Sequence, residues 1–141
     1  MILVDTSVWI DWLSERPRIG MRLDDLHDFV TCGPVIQEIV QGFWPGVESD
    51  TIRQALLAMR RLSDPIPIDL FVAAAEIYRL GRRKGSTIRS SMDGLIAAIA
   101  IENRIPVWHQ GRDFTAIAGF TALEIFNAPE VPPPPAARRA S

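Results

Sequence analysis

The chain has 141 residues, of which 48% are hydrophobic, 15 are Lys or Arg and 17 are Asp or Glu, for a formal net charge of −2. That length suits one domain with a sizeable core, and the acidic balance excludes a basic coat for nucleic acid, although bound divalent cations would invert the sign of a local acidic site. The single cysteine, Cys32, excludes a disulfide framework or a cysteine-rich zinc centre within the chain and reads as a buried thiol.

Ile2-Leu3-Val4 reads as a short buried strand, because aliphatic and β-branched side chains fill both faces of a covered sheet. Asp5 follows at its carboxyl end, where open α/β sheets place their sites, and it is equally placed to cap the next helix. Ser7 to Leu13 carries apolar residues at helical spacing, with Thr6 or Ser7 able to cap it and Pro17 limiting it. Arg18 to Asp28 reads as a second helix with Ile19, Leu23 and Leu26 on one side, and Phe29 to Cys32 as the second strand. Gly33-Pro34 then opens a helix with the apolar stripe Val35, Ile36, Ile39, Val40 and Phe43, and Glu38 lies off the middle of that stripe.

Trp44-Pro45-Gly46 ends this helix, and Thr51 to Leu62 resumes a helical pattern. Pro65-Ile66-Pro67-Ile68 reads as a short edge strand, since proline cannot donate to a central ladder. Leu70 to Lys84 reads as a helix and Gly85 to Ser90 as a loop. The most apolar helix follows, through Leu95, Ile96, Ala97, Ala98, Ile99, Ala100 and Ile101, greasy on nearly every side and so central and covered. Ile105 to Trp108 reads as a strand, His109 to Phe114 as a loop and Ala122 to Phe126 as a last strand. From Pro129 the chain is rich in Pro and Ala and is expected to be extended or disordered. Strands alternating with helices predict an α/β fold: one domain over residues 1–127, with a mostly parallel central sheet of four to five strands covered by helices on both faces, and a tail over residues 128–141. No basic segment leads into a long apolar run and no apolar run reaches membrane-spanning length, so neither a signal peptide nor a membrane span is expected, and the expected compartment is the cytosol.

Three later acids sit at element boundaries and can converge on Asp5: Glu38, Asp93 and Asp113. Four carboxylates around one point repel, which raises at least one pKa in the absence of cations; Mg2+ or Mn2+, hard ions that prefer oxygen donors, resolve the conflict and promote phosphodiester cleavage. Each acid also has a plain structural reading. Ser90-Ser91-Met92-Asp93 has the spacing of a capping box, Glu38 suits a solvated helix face, and Asp113 suits the cap of a turn before Phe114. Asp11 is the reserve candidate. The hydroxyls of Thr6 and Ser7 suit either helix capping or the orientation of Asp5. Arg79, Arg82, Arg83, Lys84 and Arg89 crowd the segment before Asp93, which fits a solvated helix end or a rim for nucleic-acid phosphates. Trp9, Trp12, Trp44 and Trp108 fit core or subunit contacts better than base stacking. No phosphate-binding glycine loop, no zinc pair from His27 and His109 and no nucleophile elbow is present.

Taken together, Ile2-Leu3-Val4-Asp5-Thr6-Ser7-Val8-Trp9-Ile10, Glu38, Asp93-Gly94-Leu95-Ile96-Ala97-Ala98-Ile99-Ala100 and Arg112-Asp113-Phe114 with Ile117-Ala118 resemble the PIN-domain ribonucleases, and within them the VapC toxins of bacterial toxin–antitoxin pairs. The resemblance covers about residues 1–127. It implies a parallel sheet sandwiched by helices and an endoribonuclease that uses Mg2+ or Mn2+, with Asp5, Glu38 and Asp93 as core catalytic metal ligands, Asp113 as a fourth and Thr6 or Ser7 in support. It also implies a homodimer, and a heterotetramer or larger assembly with a small antitoxin that inserts a peptide, often an arginine, over the carboxylates. Arg82, Arg83, Lys84, Arg89 and Arg112 are then candidates for RNA phosphate contacts. One departure stands out: Gly111 occupies a position where the family often has Asp or Asn. The other readings are an RNA-binding or protein-interaction module of weak catalysis on the same fold, and a DNA nuclease of similar architecture.

Overall fold

The computed structural model describes residues 1–20, 23–43 and 46–128. Trp44 and the Pro/Ala-rich tail from Pro129 onward fall outside the described residues. The fold is organised on β1 (Ile2–Val4), which runs into α1 (Thr6–Trp12). A 3-10 turn over Leu23–Asp28 leads to β2 (Phe29–Val30), and α2 (Gly33–Gln41) and α3 (Val47–Ala58) follow. Next come α4 (Ile68–Arg83), α5 (Ser91–Asn103), β3 (Val107–Trp108) and α6 (Asp113–Ala118). The strand order is β2-β1-β3, and both pairings are parallel. Ile2 and Leu3 sit opposite Phe29 and Val30, while Leu3 and Val4 sit opposite Val107 and Trp108.

The α/β class and the parallel sheet flanked by helices match the expectation, but the sheet is narrower than four to five strands. Single parallel bridges, Thr31 with Arg61 and Val107 with Ile125, stand in for the outer strands. On one edge Thr31 donates to the Arg60 carbonyl and accepts from the Leu62 N–H, at 3.0 and 2.9 Å. Pro65-Ile66-Pro67-Ile68 forms no strand: two prolines remove two ladder donors, and Ile68 already belongs to α4. On the other edge Val107 donates to Glu124 O and accepts from Phe126 N–H, which ties down Ala122 to Phe126 around one residue.

Three helices also differ from the sequence pattern. The α-helix expected over Arg18 to Asp28 is not found among the described residues: the carboxylate of Asp11 accepts the N–H groups of Arg18 and Ile19, at 3.0 and 2.9 Å, and Leu23–Asp28 is a 3-10 segment, while Met21 and Arg22 lie outside the described residues. That bond assigns Asp11 a structural task. Helix α3 starts four residues earlier than expected and ends at Ala58, with Glu48 and Asp50 in a first turn whose exposed N–H groups favour negative charge. Helix α6 takes Asp113 and Phe114 out of the loop expected over His109 to Phe114 and runs on to Ala118, where no element was expected.

The core follows from the two most apolar segments. Leu3, Val4, Ile96, Ala97, Ile99 and Val107 are all fully buried, and α5 is buried without interruption from Gly94 to Ala100. It packs against α4, α2 and α6, which is why it carries no polar face. Among the described residues no helix is long and apolar enough to cross a membrane.

Helix α4 closes on Gly81, which accepts from the Ser86 N–H at 2.8 Å. A Cβ on Gly81 would lie 2.7 Å from the Ser86 carbonyl oxygen and 3.1 Å from Phe120 Cζ. The Gly81→Ala variant should therefore lose about 1–3 kcal/mol of stability through overpacking, despite the higher helix propensity of Ala. A denaturant titration checks this; an unchanged or raised midpoint would contradict it.

Candidate metal centre

Parallel strands deliver their carboxyl ends to one edge, and that edge carries the acids. Asp5 is the N-cap of α1, in extended backbone, with only 5% of its surface exposed. Its Oδ2 accepts the Ser7 N–H at 3.1 Å and the Ser7 hydroxyl at 2.6 Å. Its Oδ1 is buried with no hydrogen-bond partner. The cap thus uses one oxygen of the carboxylate and leaves the other without a protein partner. Ser7 Oγ in turn accepts the Gln110 N–H at 3.0 Å, joining the β1–α1 turn to the loop after β3. Buried Thr6 donates through Oγ1 to Glu38 Oε1 at 3.2 Å.

Asp93 enters from the first turn of α5. Ser90 is the N-cap but makes no side-chain capping bond, so the capping-box reading of this segment does not hold. One oxygen from each of Asp5, Glu38 and Asp93 lies within 4.8 Å of the others. Asp113, at the start of α6, stands outside that three-oxygen set; it hydrogen-bonds the Asp93 carboxyl and accepts the Arg89 N–H through Oδ2 at 3.3 Å. It makes no cap for α6, whose N-cap is Arg112. All four acids line one open cavity of about 440 Å³.

Of the basic candidates, Arg89 and Arg112 line this cavity and Arg82, Arg83 and Lys84 do not. Sequence reasoning missed Gln110, whose backbone N–H holds Ser7, and Ile10, which lines the cavity while 58% exposed. Ile10 carries a detectable signal, since it interrupts the buried side of α1; the Gln110 contact has none, because a backbone donor leaves no mark on residue identity.

The electrostatics match the crowding. Burial, then the charges of Asp5 and Asp113, the hydrogen bond between Asp113 and Asp93 itself, and the charge of Glu38 push the Asp93 carboxyl up to about 7. Burial and Asp5 also raise Glu38, partly offset by the Thr6 hydrogen bond. Burial pushes the Cys32 thiol up to about 12, so it stays neutral as a packed core group. His109 is lowered by burial against the opposing pull of Asp5, and its ring packs 5.2 Å from that of Phe114. An all-carboxylate donor set, a buried orphan oxygen on Asp5 and an acid whose carboxyl is pushed up to about 7 fit a hard divalent cation.

The sign of the pH effect follows. Asp93 binds its proton more tightly in the fold than in the unfolded chain, so its contribution to stability is fully present below about 3.8 and is lost as pH rises to about 7. Without added cation, Asp93→Asn should stabilise the fold at pH 8 by about 1–2 kcal/mol after solvent screening of this half-buried group, and by less at pH 5. Thermal melts in EDTA at both pH values read this. A parent more stable than the variant at pH 8 would contradict it.

Comparison with known proteins agrees with this geometry. Residues 2–120 match the PIN domain family. VapC ribonuclease Mb1587 of Mycobacterium bovis and ribonuclease VapC11 of Mycobacterium tuberculosis are each 34% identical to the chain over 130 residues, spanning 88% of it and 96% of their own length. Among solved structures, FitAcB from Neisseria gonorrhoeae superposes with a TM-score of 0.65 at 23% identity, covering 90% of this chain and 97% of that one. VapBC-5 of Mycobacterium tuberculosis, a member of the VapBC family of toxin–antitoxin systems, superposes with a TM-score of 0.61 at 25% identity, covering 89% and 97%. With the acids gathered at the carboxyl edge of a parallel sheet and a match running through nearly the whole described chain, this protein belongs to the PIN-domain family.

Proposed function

We propose that this chain is a divalent-metal-dependent endoribonuclease that hydrolyses RNA phosphodiester bonds as the VapC-type toxin of a toxin–antitoxin pair. The observation that carries the reading is the convergence of Asp5, Glu38 and Asp93 within 4.8 Å in an open cavity. Those three residues would hold the cation, Mg2+ or Mn2+, with Asp113 acting on Asp93 and on the outer side of the site. When bound, such a cation neutralises charge on a scissile phosphate and makes water a better nucleophile near neutral pH.

The chain's own groups divide the remaining work. Ser7 locks Oδ2 of Asp5, leaving Oδ1 without a protein partner and free to serve as a ligand. Thr6 locks Oε1 of Glu38, so Oε2 is left to accept a proton from the attacking water. Asp113 fixes the Asp93 carboxyl and is itself held by the Arg89 N–H. An acidic floor of this kind also suits an antitoxin that blocks it with a cationic side chain, on charge grounds. The apolar cavity beside α4, next to exposed Phe71 and Tyr78, supports the expected homodimer. A module that merely binds RNA has no use for four carboxylates where phosphates must approach, so that alternative is not favoured.

The purified chain should cleave single-stranded RNA in Mg2+ or Mn2+ and stop in EDTA. Asp5→Asn and Asp93→Asn should each lower kcat/KM by roughly a hundredfold or more, since each removes a donor from the charge-balancing set. Matched DNA serves as the comparison substrate. Full RNA cleavage by both folded variants, or faster cleavage of the DNA, would overturn the assignment.

A further inference from the structure

The end of the sheet and the start of α6 both carry acids, yet they share little backbone. At the sheet, Trp108 O accepts the Asp5 N–H at 2.9 Å, and the Gln110 N–H reaches Ser7 Oγ, which holds the Asp5 carboxylate. Helix α6 opens on Asp113, which hydrogen-bonds the Asp93 carboxyl. This helix packs on α5 and α4 and buries Phe114 and Ile117. Among the described residues the backbone hydrogen bonds of Arg112 to Phe120 stay within that segment. The covalent link from Gln110 to α6 runs through Gly111, at φ +130°, where a Cβ would meet nothing within 4 Å. The backbone alone therefore leaves open how α6 is set against Asp5.

His109 spans that gap. It sits between Trp108 and Gln110, the two residues whose backbone groups fix Asp5 and Ser7. Its ring packs 5.2 Å from that of buried Phe114, the neighbour of Asp113, and its Nε2 lies 3.5 Å from Thr115 Oγ1. Burial holds the imidazole below its ordinary pKa against the pull of Asp5, so near neutrality it brings no charge to the acids. A lysine or arginine here would compete with a cation for the carboxylates; a neutral ring places them without competing.

We infer that His109 is a positioning residue: its ring seats α6 against the loop after β3, and so sets Asp113, with the Asp93 carboxyl that Asp113 bonds, relative to Asp5. This role rests on the metal-dependent ribonuclease reading and deepens it. His109 is not among the residues that line the acidic cavity, so it acts through Asp113 and not on cation or RNA. Groups that orient a metal's ligands without touching the metal change its affinity, because a ligand held in place gives up less freedom on binding.

Calorimetric titration of the full chain with Mn2+ tests this apart from turnover. His109→Ala should weaken Mn2+ binding roughly tenfold. His109→Phe keeps a ring against Phe114 and drops the buried, unpartnered Nδ1, so it should restore Mn2+ affinity to within about twofold of the parent. A double-mutant cycle reads the route: in an Asp113→Asn background, His109→Ala should change Mn2+ affinity by less than about twofold, because the residue it acts through is already impaired. Thermal melts in EDTA establish that each variant folds; His109→Leu, which keeps bulk without a ring face, replaces His109→Ala if the latter does not. Unchanged Mn2+ affinity in the folded variant, or an equal loss in both backgrounds, would overturn the inference. Absence of metal-dependent RNA cleavage by the parent would instead overturn the ribonuclease reading.

Discussion

Like charges held a few ångströms apart in a partly buried cavity repel, and the surroundings of Asp5 are built to keep that repulsion in place. Two carboxylates 4.8 Å apart oppose each other by about 3 kcal/mol at an effective dielectric constant of about 20. Free side chains would rotate away. Here Asp5 is held by two donors from Ser7, Glu38 by the Thr6 hydroxyl, and Asp113 by the Arg89 N–H. The repulsion that remains pushes the Asp93 carboxyl up to about 7, so it takes up a proton far more readily than an ordinary aspartate. The empty site and the loaded site are therefore two ways of cancelling the same charge, with a proton in one case and a cation in the other.

The frame beneath the acids is stiff for reasons unrelated to them. Aromatic rings run edge-to-face from Trp12 through Trp9, Phe29 and Trp108 to Phe126, with centroids 5.5–6.3 Å apart, linking α1, β2, β3 and the last bridge. Such pairs add stability beyond the area they bury. They also answer the question of the tryptophans: Trp9 and Trp108 are core residues, and base stacking is not their task. A three-stranded sheet of two- and three-residue strands would otherwise be a weak platform for charged groups.

Much of this was legible in the sequence where a segment's environment is uniform. The apolar run ending at Asp5 and the all-round apolar α5 beginning at Asp93 both announce burial, and their polar ends mark the edge of the sheet. Legibility fell where one residue decides the outcome. The outer strands shrank to single bridges because pairing there depends on one residue on each side, Thr31 and Val107. Helix α6 is six residues long and follows a positive-φ glycine, so it left too short a pattern to read. The basic run before Asp93 misled in a different way. Neighbours in sequence on the last turn of α4 face elsewhere, while Arg89 and Arg112, far apart in sequence, meet at the cavity.

The hydroxyl of Ser7 sits between two segments that otherwise share no covalent or helical continuity, giving a bond to Asp5 and taking one from Gln110. Gln110 is the neighbour of Gly111, whose backbone conformation is the most permissive in that loop. Displacement of the loop would therefore be felt as rotation of the Asp5 carboxylate, because the same oxygen atom carries both bonds. Anything that grips the loop from outside, nucleic acid or protein, has a mechanical handle on the geometry of the acids without touching them.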